Sequence, residues 1–358
     1  NGVADGSFSM LHVTATATDG QFNNHGVSNR SSSSPTMNNV TATATGGADD
    51  NYGVYNFLSS PTMNNVTATA TDGTNDNYGV GNVLSSPTMN NVTATATATG
   101  GANNFGVYNG VSSPSMNNVT ATATGGANNN YGVFNLTSSS PSMNNVTATA
   151  TGGDDNYGVG NDSSSPTMTN VTATATATDG TNSYGVYNVS SSPTMTDVTA
   201  TATGGTTNNS GVGNVSSSSP SMNNVTATAT GGTFINYGVY NASSSSPSMN
   251  NVTATATDGN NNYGVYNFDS SAPSMSNVTA TATGGGGDNY GVYNSFSSSP
   301  SIRNSSTTGD TNSIFNSNTS SVKVADTALG GNVTGSAFTC VGVYTTGFVA
   351  LDANCADS

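Results

Sequence analysis

One residue type keeps time along this chain. All eleven methionines stand three residues before a valine, from Met10, Met37, Met63, Met89, Met116 and Met143 through to Met275. The valines, beginning with Val13, Val40, Val66, Val92, Val119 and Val146 and ending at Val278, follow one another at 25 to 27 residues. Proline marks the same period from Pro35 to Pro300. A disordered chain has no reason to confine Met to one phase. A fixed period of this length is the mark of a solenoid, in which each unit buries its apolar face on its neighbours. A full unit reads Ser-Pro-Thr-Met-Asn-Asn-Val-Thr-Ala-Thr-Ala-Thr-Gly-Gly-x-x-Asn-Tyr-Gly-Val-Tyr-Asn-x-Ser-Ser.

Within the unit, strict alternation predicts a strand with one buried face. Val40, Ala42 and Ala44 share the inward side, while Thr41, Thr43 and Thr45 point to water. The same holds for Thr67, Thr69 and Thr71 and for Thr93, Thr95 and Thr97. Two units carry an extra Ala-Thr pair, Ala98-Thr99 and Ala177-Thr178, which preserves the alternation where a single insertion would invert it. Asp-Gly or Gly-Gly then turns the corner, a second strand such as Tyr52–Asn56 follows, and a Ser tract of variable length leads to the next Pro. Pro-Thr-Met makes a third short face, with Asn38-Asn39 at the corner before Val40. Stacked coils place like residues over like, in ladders of Met, Val, Ala and Asn about 4.8 Å apart. The expected fold is all-β: a right-handed parallel β-helix of three short sheets with 26–27 residues per coil and a C-terminal cap.

Composition removes several functions. The chain has 358 residues, 18 acidic groups, three basic ones and a formal net charge of -15. Arg30, Arg303 and Lys323 cannot form the basic footprint a nucleic acid needs. No run of 18 apolar residues is present, so no membrane insertion is expected. Leu, Lys and Gln are scarce and Glu is absent, which disfavours helices.

The stretch Tyr-Gly-Val-Tyr-Asn-x-Ser-Ser-Ser-Pro-Thr-Met-x-Asn-Val-Thr resembles the repeats of secreted bacterial β-helix proteins related in fold to the pectate-lyase superfamily. The likeness spans residues 1 to about 320. That superfamily includes lyases, adhesins, phage fibres and inert stalks, so the resemblance implies a fold and not an activity. The tail from Val322 to Cys355 resembles the terminal segment of such proteins.

Two parts are expected, a repetitive β-helix of about eleven coils over 1–300 and a degenerate end with its cap over 301–358. In the second part Ile302 replaces Met and Ser305 replaces Val, and Val322, Val324, Leu329, Phe338, Val341 and Val343 form the most apolar stretch. An open solenoid end exposes unpaired backbone, so this stretch reads as a cap. Cys340 and Cys355 both lie in it; one disulfide in an oxidising compartment is expected, with two buried thiols as the other reading. At the amino end Phe8 takes the Pro place, His12 an Asn place and His25 a Tyr place, and no cap is evident.

No coil combines a base with a carboxylate cluster, so no enzyme is expected. His12 and His25 share a coil, but as substitutes for repeat residues rather than as a catalytic pair. Asp residues gather after the Thr row, at 19, 49, 50, 72, 76, 154, 155, 179, 258 and 288; adjacent coils rarely both carry them. Calcium at these corners is conceivable, and solvated turn residues are the simpler reading. Asn-Val-Thr recurs from Asn39 to Asn277 and matches the glycosylation acceptor pattern, but an inward amide ladder would exclude a glycan.

The expected role is structural: an extracellular or cell-surface solenoid serving as filament subunit, stalk or adhesin, with further copies of itself, end to end, as partner. Two alternatives remain. The outward Thr array resembles the Thr-x-Thr face of ice-binding β-solenoids. Tyrosine pairs such as Tyr52 with Tyr55, Tyr184 with Tyr187 and Tyr237 with Tyr240 could line a stripe for surface glycans, though packing for stability explains them equally well.

Overall fold

The structure, a computed structural model, describes residues 8–98, 100–317 and 319–356. The second residue of the first Ala-Thr insertion, Thr99, lies outside them. The described chain is all-β and its strands pair in parallel through about eleven turns of a β-solenoid. It divides into two compact units, Asn1–Gly180 and Thr181–Ser358.

In the first unit each coil from residue 36 on contributes a long and a short strand; the coil before it has two pieces, Ser9–Leu11 and Thr14–Thr18, in place of the long one. The long ones begin with Thr36–Thr45, Thr62–Thr71 and Thr88–Thr97; the short ones include Asn51–Phe57, Asn77–Val83 and Asn103–Gly110. Register is residue on residue: Met37 pairs with Met63, Val40 with Val66 and Thr41 with Thr67. The expected three sheets are two hydrogen-bonded ribbons, because the long strand is creased rather than broken. The crease is Asn39, at φ 52°, which drops out of the register between Asn38 and Val40. Asn tolerates the left-handed region better than most residues, so it recurs at this place.

The other two corners follow the same rule. After the last Thr stands a left-handed residue, Gly46 at φ 71° or Asp72 at φ 56°, which explains why Gly and Asp alternate there. The Ser corner absorbs the variable length. Four residues separate Asn56 from Pro61 and one of them, Leu58, is left-handed; five separate Asn135 from Pro141 and both Thr137 and Ser138 are. The extra Ala-Thr pairs do not lengthen their strands, which end at Thr97 and Thr176; Ala98 and Ala177 still point inward, 1% and 3% exposed.

Inside, Met37, Val40, Ala42 and Ala44 are at most 1% exposed, as are their counterparts in the neighbouring coils. Each buried Met contributes roughly 1.5–3 kcal/mol. The short strand comes very close at its glycine. A Cβ on Gly106 would stand 2.6 Å from the Thr122 nitrogen and 2.8 Å from the Ala121 carbonyl carbon, so the two ribbons nearly touch there and only Gly over Ala fits.

The rest of the interior is polar. Asn56, Asn82, Asn109 and Asn135 form a buried amide ladder, each Nδ2 donating to the next coil's Oδ1 at 2.8–2.9 Å. A second Asn clips the corner: Asn77 Oδ1 accepts from the Gly73 amide at 2.9 Å, and Asn51 Nδ2 donates to the Thr71 carbonyl at 2.7 Å. Buried serines repeat the device, with Ser85 Oγ accepting from the Ser59 amide at 3.0 Å. The amide ladder expected from the sequence was placed at the corner; Asn39 and Asn65 do bond one another, at 3.2 Å, but on the outside.

The second unit has long strands Thr194–Thr203, Ser221–Thr230, Ser248–Thr257 and Ser274–Thr283, and short strands from Asn182–Val189 to Asn312–Asn316. Its Met ladder continues through substitutes: Met275 pairs with Ile302, Ile302 with Val324 and Val324 with Cys340. Ser305, in the Val place, is buried and accepts a hydrogen bond from the Val278 amide at 3.0 Å. Val322, Val324, Leu329 and Val343 are buried, as a cap requires. Val341 is not: it is 67% exposed, because Cys340 beside it takes the inward side. Cys340 and Cys355 are joined in a disulfide.

Candidate functional site

The outward faces of the two ribbons present the candidate surfaces. On the long strands the threonines form a grid. In the first unit Thr41, Thr67 and Thr93 head one column, and Thr43, Thr69, Thr95 and Thr45, Thr71, Thr97 the next two, each residue in register with the coil below. The first column is exposed and the other two are half-buried. Spacing is about 4.8 Å between coils and about 7 Å along a strand. Hydroxyls in the third column bond one another, Thr71 Oγ1 donating to Thr45 Oγ1 at 3.1 Å.

On the short strands two columns of aromatic rings stand outward. In the first unit the inner column stacks face on face: Tyr52 on Tyr78 at 4.5 Å, Tyr78 on Phe105 at 4.8 Å, Tyr131 on Tyr157 at 4.5 Å. The outer column is interrupted by Gly81 and Gly160, over which the neighbouring rings lean. In the second unit Tyr237, Tyr263 and Tyr290 form the inner column and Tyr240, Tyr266 and Tyr293 the outer. Most ring faces are therefore spent on other rings; Tyr237 is 8% exposed and Tyr290 7%. Burial raises the phenol pKa of Tyr240 and Tyr290 to about 12 and of Tyr52, Tyr78 and Tyr237 further still.

One coil breaks both columns. Ser210 occupies the inner place, paired with Tyr184 and Tyr237, and Gly213 the outer place, paired with Tyr187 and Tyr240. A cleft of about 90 Å³ results, lined by those four tyrosines, Ser210 and Asn208. Sequence reasoning passed over this coil, although the lapse of both Tyr phases at once was there to be seen.

The remaining candidates are dispersed. His12 sits at the left-handed corner between Ser9–Leu11 and Thr14–Thr18, at φ 52°, whereas His25 lies in the aromatic column, stacked on Tyr52 at 5.0 Å, so the two do not form a pair. Burial, with the Arg30 guanidinium beside it, lowers the His25 pKa to about 4. Arg30 lies over the Tyr55 ring at 5.1 Å. Lys323 and Arg303 are exposed on separate coils. The Asp corners are not kept apart as expected: Asp50 and Asp76 occupy adjacent coils and the Asp76 amide donates to Asp50 Oδ1 at 3.2 Å. Burial raises the Asp50 pKa, and the charges of Asp76 and Asp49 add to it, against hydrogen bonds from the Asp76 amide and the Tyr52 hydroxyl. Among the described residues no three His, Cys, Asp or Glu side chains converge as a metal ion requires. The acceptor-pattern asparagines are exposed, not inward; their nitrogens donate to the preceding coil, as Asn91 does to Asn65 at 3.1 Å.

No protein-family model matches the chain, and no curated protein matches it either. Among solved structures, it is similar in fold to a chain in the cryo-EM structure of the Vag8–C1 inhibitor complex. The TM-score is 0.55 at 12% identity, over 93% of this chain and 78% of that one, a likeness of fold between two β-solenoids.

Proposed function

We propose that the chain is a structural solenoid of the cell exterior, a stalk or filament subunit rather than a catalyst. The observation that carries this reading is the regularity of the long strands: their Met, Val and Ala core row and their outward Thr row repeat residue on residue from coil to coil. A catalytic site on such a scaffold is built by local departure from the repeat. The Cys340–Cys355 disulfide supports an oxidising compartment. Electron microscopy of the purified chain over a range of concentrations tests assembly: rods that lengthen with concentration are expected of a filament subunit, and rods of fixed length leave a stalk. Thiol labelling of the protein in intact cells tests location; reduced, intracellular Cys340 and Cys355 would overturn the exterior assignment.

The registered Thr columns favour one further reading, adsorption to ice, since they offer a regular lattice of hydroxyls and methyls about 4.8 Å by about 7 Å. A recrystallisation assay decides it, because ordinary ice growth at high protein concentration removes the idea.

A further inference from the structure

The coil at Asn208–Val215 departs from the repeat at two places and nowhere else on its outward side: Ser210 replaces an inner tyrosine and Gly213 an outer one. We infer that the resulting gap between Tyr184 and Tyr187 on one side and Tyr237 and Tyr240 on the other is a binding site for a single pyranose ring of a neutral glycan. The inference goes beyond the structural role and holds whether or not the chain assembles.

Spacing comes first. Coils lie about 4.8 Å apart, so losing one ring from a column leaves about 9.6 Å between the flanking rings. A flat aryl group in contact on both faces at 3.5–4.0 Å needs roughly 7–8 Å. The surplus suits a puckered saturated ring, whose axial C–H groups project towards the tyrosine faces. The Tyr187 ring already leans over Gly213, 2.8 Å from where a Cβ would stand, so the outer place is covered and the cleft deepens towards Ser210, which lines its floor.

Polarity points the same way. Ser210 is 1% exposed and its Oγ has no hydrogen-bond partner, on the floor of a cleft it helps to line. A buried hydroxyl left unpaired is destabilising, and a ligand hydroxyl would relieve it. Tyr phenols and the Asn208 amide ring the opening, the amide donating to Asn182 Oδ1 at 3.2 Å. Apolar faces with hydrogen-bonding edges describe a sugar. Charge selects among sugars: the chain carries -15 and none of its cations lines the cleft, so an acidic glycan is repelled. At about 90 Å³ the cleft has room for no more than one ring.

The test uses the full chain and a variant that restores the repeat, Ser210→Tyr, which should fold because Tyr fills this place in most other coils. Neutral oligosaccharides of glucose, galactose, mannose, xylose and N-acetylglucosamine, with polygalacturonate fragments and p-cresol as controls, are titrated while sugar proton shifts are followed by NMR. At least one neutral sugar is expected to bind with upfield shifts from the tyrosine rings, and Ser210→Tyr should weaken it at least tenfold. No binding by any neutral sugar, equal binding by Ser210→Tyr, or preference for polygalacturonate or p-cresol would each overturn the assignment.

Discussion

Asn109 is the sharpest test of the polar interior. Its Oδ1 accepts from Asn82 Nδ2 at 2.9 Å and its Nδ2 donates to Asn135 Oδ1 at 2.8 Å, and all three side chains are fully buried. Asn109→Ala removes both partners, stranding one donor and one acceptor where water cannot reach. Each stranded group costs about 1–3 kcal/mol, so the substitution should cost about 2–6 kcal/mol before any cavity is counted. Asn118→Gly is the matched control. It too interrupts an amide ladder, between Asn91 and Asn145 at 3.2 and 3.1 Å, but that ladder is exposed, so solvent replaces the lost bonds. Asn118 is left-handed, φ 54°, a conformation Gly adopts freely, and the control should change stability by less than about 1 kcal/mol. Urea unfolding followed by circular dichroism, with hydrogen exchange to localise the loss, reads both. If Asn109→Ala and Asn118→Gly cost the same, the buried amides are not paired as described.

Gly106→Ala should destabilise by about 1–3 kcal/mol or more, because its Cβ meets backbone atoms of two strands within 2.8 Å, whereas Gly100→Ala, with nothing within 4 Å, should be neutral; thermal unfolding of the pair checks this. Opening Cys340–Cys355, whose partners lie 15 residues apart, should cost about 3 kcal/mol, and hydrogen exchange should show the loss confined to the terminal coils. Alkali should weaken the fold: phenols such as Tyr240 and Tyr290 titrate at about 12 when folded and near 10 when unfolded. The unfolded state therefore loses protons first, and stability should hold below about pH 10 and fall above it, as urea midpoints at successive pH values will show.

Much of this was legible because the repeat reports the same side chain many times over. Met at one phase and the Val-Thr-Ala alternation name the core row and its solvent face, and the structure has them there. What escaped notice was polar and inward. Asn51 and Asn56 bracket the short strand in nearly every coil, yet a polar residue is taken as exposed unless a partner is visible, and here the partner is the same residue one coil away. The glycine between them is required by the approach of a second backbone, which one strand's sequence does not show. Val341 faces out although it is apolar, because sides alternate along a strand and Cys340 takes the inward one.

A stack of identical coils contains no instruction to stop, so termination has to be written as departure from the repeat. Here it is graded. At the methionine place the side chain shrinks from Met275 to Ile302, Val324 and Cys340, and the coil contracts with it, from 27 residues to 22 and then 16. A smaller core can be enclosed by a shorter coil, so volume and chain length fall together and packing is kept. The last rung then meets the chain's own continuation. Tyr344 pairs antiparallel with Ala350, the Leu351 amide donates to the Val343 carbonyl at 2.9 Å and the Cys340 amide to the Ala353 carbonyl at 2.9 Å. Part of the edge that would template another strand is thereby occupied, and the disulfide ties the occupant to the rung it covers. Any lengthening of the solenoid across this edge has first to peel away residues 350–353 against the Cys340–Cys355 bond.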